Sequence, residues 1–216
     1  SAVWRQGDQS PEAVALARKW FYLANFGLSG STGNTDRFAI LAQGRATLQG
    51  PDDRLTFYLS YDNSQTDGVR SSDELKGGVD YSRLISKKWG WYVRTELETD
   101  DAEALDLRAT AGGGAKYVWQ DTENWDLELR GGLGYRYESY YDGTVNDVPG
   151  LDLVLINSYT FTGVGTMKNV VTYNPAFEDF GNYRAFQETT FEMPLGTGDR
   201  WSLRLGFSND YNSRPI

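Results

Sequence analysis

The side chains with the greatest chemical potential in this sequence are carboxylates, and the densest group of them consists of Glu98, Asp100, Asp101 and Glu103. Carboxylate oxygens are the ligands that Ca²⁺ and Mg²⁺ prefer, so these four residues are the candidates for a metal site. A solvated polar loop explains the same residues, and we favour it. Asp142 and Asp147, on either side of Gly143, allow the same two interpretations.

The sequence contains neither histidine nor cysteine. Histidine is the commonest general base and metal ligand, and it belongs to every Ser-His-Asp catalytic set. Without cysteine, disulfides, thiolate metal sites and cysteine nucleophiles are excluded as well. Catalysis by carboxylates alone, as in glycosidases, stays open, but no acidic pair stands apart from the rest. We therefore predict that the protein is not an enzyme, assign no catalytic residue and expect no cofactor.

Glycines cluster at 112–114 and 131–134. A glycine-rich phosphate loop must precede a helix, and no helical pattern follows either cluster. We predict instead that these glycines allow strands to bend tightly or interior side chains to pack closely against the backbone.

The chain has 216 residues with 21 basic and 30 acidic side chains, a net charge of −9. Because there is no long run of Lys or Arg, we do not expect nucleic-acid binding. The longest uninterrupted apolar segment, Trp20 to Ala24, is far shorter than the roughly 20 residues of a transmembrane helix. Ser10-Pro11-Glu12 predicts that residues 1–17 form a tail or short helix. Residues 18–216 suit a single domain.

From residue 18 onward, apolar and polar residues alternate with a period of two, which is typical of strands. The pattern predicts eleven antiparallel strands, near 18–28, 37–49, 54–62, 75–82, 89–99, 105–119, 125–138, 151–162, 166–174, 182–193 and 201–208. Short turns (50–53, 86–88, 120–124, 163–165 and 196–199) are predicted to alternate with longer loops (64–73, 100–104, 139–150 and 174–181). In a meander, the short turns then share one rim and the longer loops the other.

The positions of the aromatic residues indicate whether the apolar face of the strands meets lipid or a soluble core. Six tryptophans fall at the short-turn rim: Trp20, Trp89, Trp91, Trp119, Trp125 and Trp201. Tyrosines dominate the other rim: Tyr61, Tyr137, Tyr140, Tyr141, Tyr173, Tyr183 and Tyr211. Such rings at both strand ends match the two interfacial belts of a membrane barrel. Aromatic residues are also enriched in strands generally, but a soluble core would place its largest rings near the strand centres.

The other face of the strands carries charges of both signs, and we predict that they line a hydrated lumen. These residues are Arg45, Arg54, Lys76, Arg94, Glu96, Arg108, Lys116, Glu128, Arg130, Arg136, Glu188, Glu192 and Arg204. Folding neighbouring strands onto each other predicts ion pairs of Lys116 with Glu128 and of Arg108 with Glu96. On a soluble barrel the same charges would form the exterior.

Three segments resemble the YdiY-like salt-induced outer-membrane proteins (domain of unknown function 481): Gly27–Asp36, Leu105–Trp119 and Leu203–Pro215. The resemblance runs from about Trp20 to Pro215 and implies a β-barrel of a Gram-negative-type outer membrane, without enzymatic activity. Bacterial single-chain barrels have an even number of strands. We therefore expect either that a closing strand is missing from this chain or that the weak segment 166–174 is not a strand. A third alternative is that residues 1–9 close the gap.

These observations predict an all-β, antiparallel up-and-down transmembrane β-barrel of about 12 strands in the bacterial outer membrane. The protein would be a narrow channel, whose charged lumen passes ions or small solutes, or a structural protein of the envelope. The expected partners are outer-membrane lipid and lipopolysaccharide. The alternative is a soluble or periplasmic β-barrel that binds an apolar ligand in its interior. A third hypothesis is that the protein is a scaffold whose loops, 139–150 and 174–181, recruit envelope proteins.

Overall fold

The computed structural model describes residues 18–31, 37–195 and 202–213, and the regular secondary structure within these ranges is entirely β. Eleven strands are present, as predicted: β1 (Lys19–Ser31), β2 (Arg37–Gln49), β3 (Asp53–Thr66), β4 (Val69–Leu84), β5 (Trp89–Asp100), β6 (Leu105–Asp121), β7 (Trp125–Tyr140), β8 (Val145–Phe161), β9 (Gly165–Pro175), β10 (Tyr183–Pro194) and β11 (Ser202–Asn212). Trp201, the predicted turn at 196–199 and the segment 1–17 lie outside the described residues. No described residue belongs to a helix long and apolar enough to cross a membrane.

Each strand pairs antiparallel with the next one in the chain, so the sheet has the simple order β1 to β11. This is the up-and-down meander that the sequence predicts. The segment 166–174 is a regular strand, because β9 pairs with β8 over Gly165–Tyr173 and with β10 over Thr166–Pro175. The alternative that segment 166–174 is not a strand is therefore wrong. Among the described residues β1 and β11 do not pair with each other.

The connections are shorter than predicted. The segment 64–73 is not a loop but part of the β3–β4 hairpin, which turns at Asp67 and Gly68 with φ of 52° and 75°. Asp-Gly is the favoured pair for a two-residue turn with positive φ at both positions. The predicted loop 139–150 shrinks to residues 141–144 between β7 and β8. Of the described connections, only 176–182 is longer than four residues, and the shortest, 67–68, lies on the rim where longer loops are predicted. The predicted division of the rims by loop length is therefore wrong; we keep the name short-turn rim for the end of the barrel that carries the turns 50–52, 85–88, 122–124 and 162–164.

The sheet curves strongly toward its charged face. On a flat sheet the backbones of β5 and β10 would lie about 24 Å apart, at about 4.8 Å per strand. Yet Arg184 Nη1 of β10 lies 3.0 Å from Glu98 Oε2 of β5. Arg94 Nε of β5 similarly lies 3.0 Å from Asp152 Oδ2 of β8. These contacts require the sheet to curl into a half-barrel with the charged side chains inside.

The convex face carries the large apolar side chains. Leu59, Leu97 and Leu133 are 57%, 54% and 67% exposed on strands β3, β5 and β7. The described tryptophans of the predicted belt are also on this face. Two of them pack against tyrosines of neighbouring strands: Trp89 against Tyr117, with ring centroids 4.7 Å apart, and Trp91 against Tyr81, with ring centroids 5.3 Å apart. The barrel wall is thus apolar outside and ionic inside.

Tyr140 departs from the predicted tyrosine belt. Its side chain is buried, 7% exposed, at the end of β7. The alternation of β7 explains this position, because Arg136, Glu138 and Tyr140 share one parity and all three point inward. Tyr173, Tyr183 and Tyr211, by contrast, form a row of ring contacts across β9, β10 and β11.

Candidate functional site

The interior of the half-barrel contains a cavity of about 980 Å³. Eleven of the thirteen charged residues predicted for the lumen line it: Arg45, Arg54, Lys76, Arg94, Glu96, Lys116, Glu128, Arg130, Arg136, Glu188 and Arg204. The structure places the other two differently. Arg108 is buried among carboxylates of the interior, 3% exposed. Glu192 is exposed, and its Oε1 accepts a hydrogen bond from Ser202 Oγ at 2.9 Å.

Glu98 is the centre of an ionic network in the half of the interior opposite the short-turn rim. Its carboxylate is only 3% exposed and accepts hydrogen bonds from Arg184 Nη1 at 3.0 Å and from Arg108 Nη1. Lys76 Nζ lies 3.8 Å from the same carboxylate. Glu98 therefore holds together side chains from β4, β6 and β10.

The network continues on both sides of Glu98. Arg108 Nε lies 2.8 Å from Glu138 Oε1, and Arg184 Nη2 lies 2.6 Å from Asp210 Oδ2. We call these residues the paired belt: Lys76, Arg108, Arg136, Arg184, Glu74, Glu98, Glu138 and Asp210. Its four cations balance its four carboxylates. Buried charges that are paired in this way avoid the large penalty of an isolated buried ion.

Asp152 of β8 anchors a second group of contacts nearer the middle of the interior. It is 1% exposed and accepts hydrogen bonds from Tyr92 Oη at 2.9 Å, Arg94 Nε at 3.0 Å and Asn174 Nδ2 at 2.8 Å. Its side chain reaches these partners by passing over Gly112 of β6. A Cβ atom at Gly112 would lie 2.8 Å from Asp152 Cγ. The close packing of an interior side chain against a glycine, predicted from the sequence, is confirmed at this position.

Of the two predicted ion pairs, one is confirmed and one is wrong. Lys116 Nζ lies 2.8 Å from Glu128 Oε2, although the residue directly opposite Lys116 is Arg130. Arg108 is opposite Glu98 instead of Glu96. Part of this difference comes from a register shift between Glu98 and Asp100, and the rest from the turn 101–104, whose centre lies after residue 102. Register shifts of this kind come from bulges, which the alternation pattern does not reveal.

The acidic cluster considered for a metal ion is not brought together. Glu98 lies in the paired belt, whereas Asp100 Oδ1 accepts a hydrogen bond from the Ala102 backbone N–H at 2.8 Å. Asp101 Oδ1 accepts one from Tyr141 Oη at 2.6 Å, and Glu103 lies 3.6 Å from Arg108 Nη2. Within the described ranges, no three acidic side chains are arranged to hold a metal ion.

The other two acidic candidates, Asp142 and Asp147, also accept hydrogen bonds from nearby residues. Asp142 Oδ1 accepts a hydrogen bond from the Thr144 backbone N–H at 2.8 Å, which stabilises the 141–144 turn and holds the pKa of Asp142 below its ordinary value. Asp147 accepts a hydrogen bond from Tyr135 Oη. Both carboxylates act as structural acceptors in the described structure.

Several residues that organise the interior are not among the predicted lumen-lining residues: Asp80, Glu138, Asp152, Arg184 and Asp210. Alternation places Asp80 and Glu138 on the polar face, and it does the same for Asp152, which lies between Leu151 and Leu153. No comparable signal identifies Tyr92 and Arg94 as partners of Asp152, because both come from β5, which is not a neighbour of β8.

The fold and its interior define the class of this protein as an up-and-down antiparallel β-sheet curled into a half-barrel around a charged cavity. A comparison with family models matches residues 24–216 to the family described as "Protein of unknown function, DUF481". Because the match covers most of the chain, the protein belongs to this family, and the resemblance found in the sequence is confirmed. No curated protein matches the chain.

Proposed function

We propose that this protein is a non-enzymatic β-barrel of the bacterial outer membrane. The supporting observation is the distribution of apolar side chains, since Leu59, Leu133 and Phe207 are all more than half exposed on the convex face. A water-soluble protein rarely exposes so many large apolar side chains on one surface. A lipid environment accounts for them, and tryptophans near the short turns fit the aromatic girdle of a membrane barrel.

The proposed lumen is crossed by the protein's own ionic side chains. The paired belt joins β5 to β10 through the contact of Glu98 with Arg184, which crosses the interior. Arg94 and Asp152 join β5 to β8 in the same way. Because these long side chains are held by charge-assisted hydrogen bonds, they oppose passage of solutes larger than small ions. We therefore propose a narrow conductance or a structural role in the envelope.

The alternative of a soluble barrel with an apolar ligand is less well supported. Such a site needs an interior lined mainly by apolar side chains. Apolar residues such as Val154 and Phe186 do line this cavity, but charged groups such as Arg94 and Glu96 share it with them. The two hypotheses differ in solubility. The alternative requires a monomer that is stable without detergent and binds an apolar dye with one-to-one stoichiometry.

The absence of enzymatic activity and the partners are part of this proposal. The chain lacks histidine and cysteine, and the carboxylates of the paired belt are engaged by Arg and Lys. For partners we propose outer-membrane lipid and lipopolysaccharide, which would contact the convex face and the rim. The scaffold hypothesis loses one of its two loops, because residues 145–150 belong to β8.

Single-channel recording in planar bilayers tests the proposed function. We expect small current steps or none from the purified protein, and a larger conductance from Arg184→Ala, which removes the contact across the interior. Lys87→Gln, in the exposed 85–88 turn, is the matched control and should not change the current. Large porin-type steps from the unmodified protein would contradict a lumen crossed by its own side chains.

A further inference from the structure

Four cations of the interior differ from those of the paired belt: Arg45, Arg54, Lys168 and Arg204. Among the described residues none of these four forms an ion pair, whereas every cation of the belt does. The one hydrogen bond seen for a side chain of this group joins Arg54 Nε to Gln49 Oε1 at 2.7 Å. We call these four residues the cationic cluster.

The cationic cluster occupies the half of the interior near the short turns. Arg54 lies just inside β3 after the 50–52 turn, Lys168 just inside β9 after the 162–164 turn, and Arg204 near the start of β11. All four side chains line the same cavity. Lys168 interacts electrostatically with each of the other three members. The topology therefore brings charges from four strands into the same half of the interior.

Two carboxylates of β10 belong to the same region. Glu188 interacts electrostatically with Lys168, and Glu192 is directly opposite Arg204 in the β10–β11 pairing. Asp126 of β7, which also lines the cavity, interacts electrostatically with Arg54 and with Asp121. The repulsion is therefore centred on Lys168, which interacts with three arginines and with the carboxylate of Glu188. In a half-buried interior, where the effective dielectric constant is well below that of water, like charges repel strongly. An anion that enters this region would relieve the repulsion.

We propose that the cationic cluster binds a small oxyanion of the phosphate or carboxylate class inside the barrel. Each planar guanidinium group can donate hydrogen bonds to two oxygens of such an anion at once. The Lys168 ammonium adds a compact positive charge. A cavity of about 980 Å³ has ample room for an anion of this size. This inference goes beyond the proposed function, because a binding site in the lumen does not require that the lumen conduct.

Titration calorimetry of the full chain in uncharged detergent micelles, with inorganic phosphate as the probe, tests the site. We expect about one phosphate per chain and, for Lys168→Gln, an affinity at least about tenfold weaker, because a hydrogen bond to a charged group is worth roughly 1.5–3 kcal/mol. Glu188→Gln should change the affinity in the opposite direction, by a fewfold, since it removes a repulsive carboxylate. Lys87→Gln, on an exposed turn, is the matched control with no expected change.

The opposite responses of Lys168→Gln and Glu188→Gln keep the test independent of folding defects, because a damaged barrel would not bind phosphate more tightly. Absence of phosphate binding by the unmodified protein would overturn the inference, as would equal binding by Lys168→Gln. Phosphate binding by a protein that shows no membrane insertion would support the site and contradict the proposed function instead.

Discussion

Replacing Gly112 with alanine tests how the interior of the barrel is packed. Gly112 lies beneath the Asp152 side chain, and a Cβ at this position would lie 2.8 Å from Asp152 Cγ and 3.2 Å from Asp152 Cβ. Two heavy atoms of this kind cannot approach so closely. The carboxylate must therefore shift away from Tyr92 and Arg94, which now donate to it.

The expected cost follows from the hydrogen bonds that would weaken. A hydrogen bond to a charged group contributes about 1.5–3 kcal/mol, so the loss of one of them lowers the free energy of unfolding by about 2 kcal/mol. Alanine itself is better than glycine within a strand by about 0.5 kcal/mol. The net destabilisation by Gly112→Ala is then about 1.5 kcal/mol.

Gly44→Ala is the matched control, because nothing lies within 4 Å of a Cβ added at Gly44 in β2. It should leave stability unchanged or raise it by about 0.5 kcal/mol. Urea unfolding of the folded protein in lipid vesicles, followed by tryptophan fluorescence, measures both variants. In an Asp152→Ala background the cost of Gly112→Ala should disappear. Equal stabilities of the two alanine variants would refute the proposed packing of Asp152 over Gly112.

Two further substitutions test the ionic interior and the apolar exterior. Glu98→Gln removes the charge that holds Arg108 and Arg184 and should lower the free energy of unfolding by about 3 kcal/mol; Glu103→Gln, at a side chain 61% exposed, is the control and should have little effect. Leu133→Arg places a charge at mid-strand on the convex face and should cost about 2–4 kcal/mol in vesicles, whereas Leu133→Met should cost little. Urea unfolding measures all four variants, and a harmless Leu133→Arg would argue against a lipid-facing surface.

Much of the wall could be predicted from alternation alone. Along β7, for example, Leu127 and Leu129 alternate with Glu128 and Arg130, so the strand and its two faces follow from the sequence. The pattern was less informative near Asp67-Gly68, where polar residues continue the strands up to a tight turn. Polar composition alone predicts a loop there, but these residues pair across the hairpin with one register shift, between Ser64 and Gln65.

The ionic contacts inside the barrel could not be predicted in the same way. Alternation says which face a residue occupies, but not how far strands slide past each other or how tightly the sheet curls. Those quantities decide that Arg184 meets Glu98 across the interior. They also let Lys168 of β9 interact electrostatically with Arg45 of β2, although the two strands are far apart in the sheet. Glu98 shows the consequence, since it looked like part of an exposed acidic loop and is instead the buried centre of the paired belt.

The most direct test of the proposed orientation uses two adjacent residues of β3. Leu59 is 57% exposed on the convex face. Ser60 has the parity of Tyr58, whose Oη donates a hydrogen bond to Glu96 Oε2 inside the barrel, so the Ser60 side chain faces inward. Because the chain has no cysteine, Leu59→Cys and Ser60→Cys can each carry a single environment-sensitive fluorophore in vesicles that contain nitroxide-labelled lipid. We predict strong quenching by the lipid nitroxide at position 59 and little at position 60. No quenching at position 59, or equal quenching at both positions, would contradict a barrel whose apolar face meets lipid and whose charged face encloses the lumen.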